Sequence, residues 1–353
     1  MQISALEISG LRNIEYCLVR PGSSGNLIVG SNGAGKTSFL EAIYMLGNAR
    51  TFRGGYSQSL VNEGGNSLRV SARVVLPGGS VTELEVIKAG GSRKISVDRK
   101  LIPNRSTLVR QFPVMFFGHE SIAAQITSSE ARRGFLDWLL FHVEPGFHSV
   151  FSGYQGVFNQ YRASLRARRG GGEVWVSSLA ELGEQINSLR QTCYQELRDL
   201  FLSELTKFPE LPQVELVYRC GWGADNSLED WLSSKQSDHE RLGYCTVGPQ
   251  RADLQLRNNR GEVRSWASRG QLKVYYGLLF LTFLRYLLKT SDARPLLLID
   301  DLWAEVDQAV ADRVLSELMG GGLQVFISSL ESRDEIFKGY DMKLFHVERG
   351  LVT

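Results

Sequence analysis

Cysteine is scarce in this 353-residue chain, and the four present, Cys17, Cys193, Cys220 and Cys245, lie far apart with no CxxC pair. That excludes a disulfide framework and a cysteine zinc site, and points to a reducing compartment. A long apolar run is missing too. The most apolar segment, Val274 to Leu284, meets Arg285 well short of the roughly 20 residues that a membrane span needs. Met1 to Asn13 carries no basic flank leading into an apolar core, so it does not read as a secretory signal. The expectation is a cytoplasmic protein with no membrane helix. No heptad is sustained over several turns, which excludes a long coiled coil. Charge of one sign is also lacking: Lys+Arg 40 against Asp+Glu 38 leaves a net charge of +2, so no global basic excess announces nucleic acid.

The distribution of charge says more than its sum. Residues 1–120 carry a balance of +6 and residues 121–240 one of −5, so a polyanion is expected to prefer the first third. Composition, 43% hydrophobic and 22% charged, is that of a globular chain with room for two domains, or one domain with a large insertion.

The strongest local signal is Gly30-Ser31-Asn32-Gly33-Ala34-Gly35-Lys36-Thr37-Ser38. It follows the apolar run Leu27-Ile28-Val29 and opens a stretch in which Phe39, Leu40, Ile43, Leu46 and Gly47 recur at helical spacing. Strand, glycine-rich loop and helix arrive together, as a phosphate-binding loop requires. Glycines let backbone N–H groups turn inward at phosphate oxygens, and the dipole of the following helix adds to the attraction. Lys36 is then expected on the β and γ phosphates of ATP and Thr37 on a magnesium ion. The blander reading is a glycine-rich turn that happens to carry a lysine.

Along the chain, residues 3–29 read as two short strands before the loop strand, with Leu11-Arg12-Asn13 at their turn. Ala49-Arg50-Thr51-Phe52-Arg53-Gly54-Gly55 is a basic, aromatic loop, either a solvated turn or one close to nucleotide or DNA. Alternating segments around Pro77-Gly78-Gly79-Ser80, and again about Asp98-Arg99, predict hairpins and an antiparallel side sheet. Arg93, Lys94, Arg99 and Lys100 flank the second hairpin turn and are the first candidates to track a nucleic-acid backbone. From residue 121 the spacing becomes helical, with a Gly170-Gly171-Gly172 break and a short hairpin around Val214 to Tyr218. The α/β texture then returns. The expected organisation is an ATPase lobe of residues 1–120 and 241–353 with an inserted, mainly helical lobe of residues 121–240.

Leu296 to Ile299 is a continuous apolar run ending in Asp300-Asp301, as a buried parallel strand would. A carboxylate at such a tip can hold the magnesium, the role expected of Asp300, while Asp301 is the better candidate for orienting the attacking water. Ser268-Arg269-Gly270-Gln271 opens the long apolar helix and again offers N–H groups and a hydroxyl to phosphate. One nucleotide cannot have two such helix starts of one subunit at opposite ends of its phosphates. Ser268, Gly270 and Gln271 are therefore expected to act on the nucleotide of a partner subunit.

In this order, Gly30 to Thr37, Ser268 to Gln271, Leu298 to Asp301 and Glu305-Val306-Asp307 resemble the Walker A, signature, Walker B and D-loop motifs of ABC-type ATPase heads shared by SMC proteins and the RecF family. The RecF family fits best. Leu11-Arg12-Asn13, Ala49 to Arg53, Arg132-Arg133-Gly134-Phe135-Leu136-Asp137-Trp138 and Val247-Gly248-Pro249-Gln250-Arg251 all resemble stretches of it, over nearly the full chain. The resemblance implies an ABC/SMC-type α/β head, dimerisation on ATP and Mg2+, and weak, DNA-stimulated hydrolysis. It also implies binding to single-stranded or gapped DNA, and action with RecR and RecO in placing RecA at gaps during repair, replication and the SOS response. Arg12 would lie near the nucleotide and Asp307 at the dimer seam. Three departures stand out: Gln250 and Ala252 replace a histidine and an aspartate, His119-Glu120 stands for Pro-Glu, and Ser328-Ser329 follows the last strand where ABC transporters carry a switch histidine. A nucleotide-binding subunit of an ABC transporter and a small-molecule kinase remain as alternatives.

Overall fold

The computed structural model describes residues 1–53, 60–102, 105–167, 172–223, 225–301, 308–331 and 340–353, with the backbone alone at 308–311. Two compact units emerge: Met1–Ala123 with Arg269–Leu281 and Asp292–Thr353, and Ala124–Ser268 with Thr282–Ser291. Among the described residues no helix is long and apolar enough to cross a membrane.

The first unit opens with β1 (Gln2–Leu11) and β2 (Ile14–Val19), then β3 (Gly25–Val29) and α1 (Lys36–Asn48). β4 (Ser67–Val75) pairs antiparallel with β1, and β5 (Val81–Ala89), β6 (Ser92–Val97) and β7 (Lys100–Leu101) each add antiparallel to the strand before, giving the sheet order β2-β1-β4-β5-β6-β7. Side chains alternate between faces along a strand, and Thr82, Leu84, Val86 and Lys88 of β5 all turn to the buried face. Both expected hairpins form. Gly78 and Gly79 turn the β4–β5 connection at φ 98 and 87, and Asp98 and Arg99 adopt φ 48 and 63 in a tight turn that matches strand twist.

A second sheet begins after α2 (Arg105–Gln111) with β8 (Val114–Phe117), followed by α3 (His119–Thr127). Its remaining strands come from the far end of the chain, after the second unit, so they are named below in chain order. In that second unit, α4 (Ser129–Val143), α5 (Phe147–Ala167) and α6 (Val176–Leu205) precede β9 (Glu215–Arg219), α7 (Leu228–Ser234) and α8 (Gln236–Leu242). β10 (Asp253–Asn258) then pairs antiparallel with β9 and with β11 (Gly261–Glu262). Ser128 caps α4 and a reciprocal Ser227/Asp230 box caps α7, satisfying helix N–H groups that would otherwise lack partners. Two buried arginines cross-link the unit. Arg190, 1% exposed, grips Asp137 at 2.8 and 2.9 Å and donates to the Pro249 carbonyl at 2.8 Å. Arg132 holds Asp253 with two bonds of 2.8 Å.

These contacts explain where the second unit ends. The sequence reading closes the helical lobe at residue 240, but β10 pairs with β9 and Asp253 binds Arg132, so the unit runs on to Ser268. Leu254 and Leu256 fill its core, not that of the nucleotide lobe.

After α9 (Arg269–Thr290), β12 (Leu296–Asp300), α10 (Gln308–Met319), β13 (Val325–Ser329), β14 (Met342–Glu348) and β15 (Leu351–Val352) complete the sheet β15-β14-β3-β13-β12-β8. β14, β3, β13, β12 and β8 run parallel, and every residue of β3, β8, β12 and β13 is buried. A parallel sheet covered on both faces selects such unbroken apolar strands. α1 packs into a core shared by both sheets, with Phe39, Leu40, Ile43, Met45 and Leu46 against Leu6, Val70, Val86, Leu298 and Phe326. Buried amides stitch the two sheets: Gln324 accepts from Ile3 N–H at 2.6 Å and donates to the carbonyls of Ile3 and Gly22 at 3.0 and 2.7 Å.

Candidate nucleotide site

Parallel strands present their C-terminal ends side by side, and the site grows from three of them. β3 hands over to α1 through Gly30–Gly35, with β13 on one flank and β14 on the other. Gly33 and Gly35 take φ 77 and 123, a region that side chains with a Cβ rarely adopt. Close approach fixes the other glycine: a Cβ on Gly30 would lie 2.2 Å from the Val347 carbonyl oxygen. Ser31, Asn32 and Gly33 are exposed, whereas Ala34 and Ser38 are buried beneath them. Asn13 braces the loop from below. Its side-chain amide donates to the carbonyl of Ala34 at 2.9 Å, and its Oδ1 accepts from Ser38 at 3.0 Å. The sequence reading saw Asn13 only as part of a turn, because nothing local shows that the β1–β2 turn lies under the phosphate loop.

Lys36 folds back along the loop and donates to the carbonyls of Gly30 at 2.7 Å and Ser31 at 3.0 Å. Burial lowers its pKa, opposed by the charges of Asp300 and Asp301. The Thr37 hydroxyl donates to both carboxylate oxygens of Asp300, at 3.0 and 3.2 Å. Two residues 263 apart in sequence thus meet, as the strand-end argument expects. Asp300 is 8% exposed and its pKa is raised by burial, with hydrogen bonds from Ser328 and Thr37 pulling the other way. Gly118 at the tip of β8 is required here, since a Cβ would come within 2.9 Å of the Asp300 Cβ.

Asp301 sits differently from its neighbour. Its side chain is exposed, its φ is 54, its N–H donates to the Ser328 hydroxyl at 3.0 Å and its carbonyl accepts from Lys273 at 2.6 Å. Ser328 therefore ties together the backbone and side chain of the two consecutive aspartates. The sequence showed Ser328 only as the absence of a histidine.

Arg12 is held by a buried acid on α1. It makes a two-pronged contact with Glu41, one arm at 3.0 Å, and Glu41 also accepts from the Thr51 hydroxyl. A fully buried carboxylate in an apolar helix was the available signal for this partner, and periodicity alone passed over it. In the loop after α1, Phe52 stacks on Phe116 at 3.8 Å between centroids and Arg53 faces Glu120 at 3.3 Å, while Arg50 is exposed and Gly54 and Gly55 lie outside the described residues. Ser268, exposed, and Gly270 and Gln271, half-buried, stand at the start of α9. Glu305, Val306 and Asp307 lie outside the described residues.

The donor set is one of hard oxygens, the Thr37 hydroxyl and the Asp300 carboxylate, beside the glycine-rich loop that leads into α1. Those residues fit a magnesium ion and the phosphates of a nucleotide.

The family model described as RecF/RecN/SMC N terminal domain matches residues 2–350. The chain belongs to this family. Among individual relatives, the DNA replication and repair protein RecF of Nitrosococcus oceani is 35% identical, across 100% of this chain and 99% of its own. That of Thioalkalivibrio sulfidiphilus is 32% identical, across 99% and 98%. Within the RecF/RecN/SMC family, the chain is therefore a full-length match to RecF proteins. The fold agrees. The solved structure of the recombination mediator protein RecF with ATP, in the RecFOR pathway, superposes with a TM-score of 0.87 at 22% identity, over 100% of this chain and 97% of the other. An Smc head bound to the C-winged helix domain of ScpA follows at a TM-score of 0.61 and 14% identity, over 100% and 96%.

Proposed function

We propose that this RecF-family chain is an ATP-dependent, DNA-binding clamp acting in recombinational repair and replication, helping to load RecA at gaps and to induce the SOS response. One observation carries the reading: the Gly30–Ser38 loop, Thr37 and Asp300 converge on one point, in a chain that matches RecF proteins from end to end. On binding ATP, Lys36 leaves the carbonyls of Gly30 and Ser31 for the β and γ phosphates, while the N–H groups of Ser31 to Thr37 surround them. Thr37 and Asp300 would hold a magnesium ion, which when bound neutralises phosphate charge. Arg12, positioned by Glu41, lies toward the nucleotide. Ser268, Gly270 and Gln271 complete the site of a second copy from the far side of the γ phosphate, so ATP closes a homodimer. Asp301, with its exposed carboxylate, orients the attacking water, and Asp307 lies at the dimer seam. Slow, DNA-stimulated hydrolysis then times release. DNA, single-stranded or as a gapped duplex, together with RecR and RecO, are the partners, and the compartment is the cytoplasm. The transporter alternative is not favoured, since the full-length relatives are RecF proteins and Leu-Ser-Gly-Gly-Gln is absent from the helix start at Ser268.

The test is to follow dimer fraction and phosphate release together as DNA is titrated at saturating ATP. The reading expects a dimer only with ATP and a hydrolysis rate that rises with DNA. A monomer throughout, with a rate indifferent to DNA, would contradict it.

A further inference from the structure

The same helix that starts at the phosphate loop ends in a cluster of positive charge. At the C-terminal end of α1, Arg105 Nε donates to the Asn48 carbonyl at 2.5 Å and Arg93 donates to that of Ala49. Arg50 follows directly in the chain and is exposed. Lys88 stands opposite Arg93 in the β5–β6 register, on the face of β5 that turns toward the core. Like charges directly opposite each other on a sheet are destabilising. Among the described residues no carboxylate pairs with Arg50, Arg93 or Arg105, and the neighbouring sequence at 54–59 and 103–104 holds no acid. The cations feel one another: Arg105 is pushed down to about 10, by burial first and then by Arg50 and Arg93, with Tyr44 opposing.

Capping of the helix is too small a role for this much charge. A helix C-terminus presents roughly half a negative charge, and here two guanidinium groups donate to its last carbonyls while a third, Arg50, is close enough to act on Arg105. A second observation concerns the same helix end: among the described residues the Asn48 side-chain nitrogen is a buried donor with no acceptor, on a residue 3% exposed. Donors in excess, with no acid and no exposed large apolar side chain among the members, describe an anion site rather than the apolar-centred surface of a protein interface. Forked guanidinium groups match the paired oxygens of phosphate, as they do those of carboxylate.

We propose that Arg50, Arg93 and Arg105, at the end of α1 remote from the nucleotide, form a binding site for the phosphates of a nucleic-acid backbone. The inference rests on the RecF-type reading above and adds where DNA is held. It revises the sequence expectation. Of the four hairpin cations, Arg93 belongs to this cluster, whereas Arg99 faces Glu83 at 3.6 Å on a surface already compensated. Because α1 spans about 20 Å from phosphate loop to arginines, one rigid, buried helix joins the two anion sites.

The test measures binding of a fluorescent duplex over a range of salt for the parent, for the triple variant Arg50→Gln, Arg93→Gln, Arg105→Gln, and for Arg99→Gln with Lys100→Gln. The triple variant is expected to weaken binding by the same factor on every sequence and to flatten the logarithmic salt slope by about 0.9 per lost contact. Its ATP affinity stays at the parental value, and the Arg99 variant behaves as the parent. Should the triple variant not fold, Arg50→Gln carries the test, since that exposed side chain makes no hydrogen bond among the described residues; a loss of about 0.9 in slope is then expected. Parental affinity and slope in a folded variant overturn the inference alone. Displacement of the duplex by millimolar inorganic phosphate at constant ionic strength would instead assign a free-phosphate site and also overturn it. A parent that binds no DNA removes the RecF-type reading itself.

Discussion

Arginines are matched differently in the two units: Arg190 and Arg132 of the second are buried, whereas in the first Arg93 is exposed and Arg105 and Arg53 are half-buried. In the second unit Arg190 and Arg132 are each matched by a carboxylate with two short bonds, and their remaining donors reach carbonyls at Pro249 and Gln125. In the first unit Arg12 is matched in the same way by Glu41, but beyond the far end of α1 the match is incomplete. Among the described residues Arg105 and Arg93 have only carbonyls, and Arg53 faces Glu120 while its Nε and the Glu120 Oε2 stay buried without a hydrogen bond. Leaving polar atoms half-satisfied costs stability, so a fold keeps them where a ligand completes them.

Breaking a matched pair should give the largest effect. Arg190→Ala leaves the half-buried Asp137 without its partner and should cost up to about 3 kcal/mol of stability, read as a fall in the denaturation midpoint; a change within error would show that the pair is dispensable. Lys36→Ala touches an unmatched group, so the prediction inverts: stability stays near parental, while ATP affinity falls by about 10- to 100-fold, the worth of a charged hydrogen bond. Titration calorimetry checks it, and parental affinity would remove the phosphate-loop assignment.

The smallest effect should come from Asp300→Asn. Burial raises the pKa of Asp300, so the nucleotide-free fold holds this proton to a higher pH than the unfolded chain does. This group's contribution is present below the ordinary carboxylate pKa and lost as pH rises through the raised value. Asparagine removes that loss. The variant should therefore melt slightly above the parent at neutral pH, with the gap closing on acidification, and should not hydrolyse ATP. A lower melting temperature at neutral pH would show that the hydroxyls of Thr37 and Ser328 more than offset the burial.

What could be read in the sequence was what is local. Gly30 to Ser38 announced its loop through spacing, and Leu296 to Asp300 its strand through unbroken apolarity, and the two meet as expected at Thr37 and Asp300. Residues whose partners lie far along the chain stayed hidden. Asn13 reaches Ala34, Glu41 reaches back to Arg12, and Gly118 matters only because Asp300 arrives against it. The end of the second unit was hidden for the same reason, since β10 finds its strand partner across α7 and α8. Hairpin charges were legible as a run, but which of them face an acid depends on register, and register sets Lys88 opposite Arg93.

The central claim is that Ser268 serves the nucleotide of another copy. Ser268→Arg tests it most directly, with ATP affinity measured on the monomer and dimer fraction measured by sedimentation at saturating ATP. The account predicts ATP affinity within about twofold of the parent, well under the tenfold that 1.4 kcal/mol represents, together with loss of the ATP-dependent dimer. A variant that still dimerises on ATP would contradict it and leave Ser268 as an ordinary helix start.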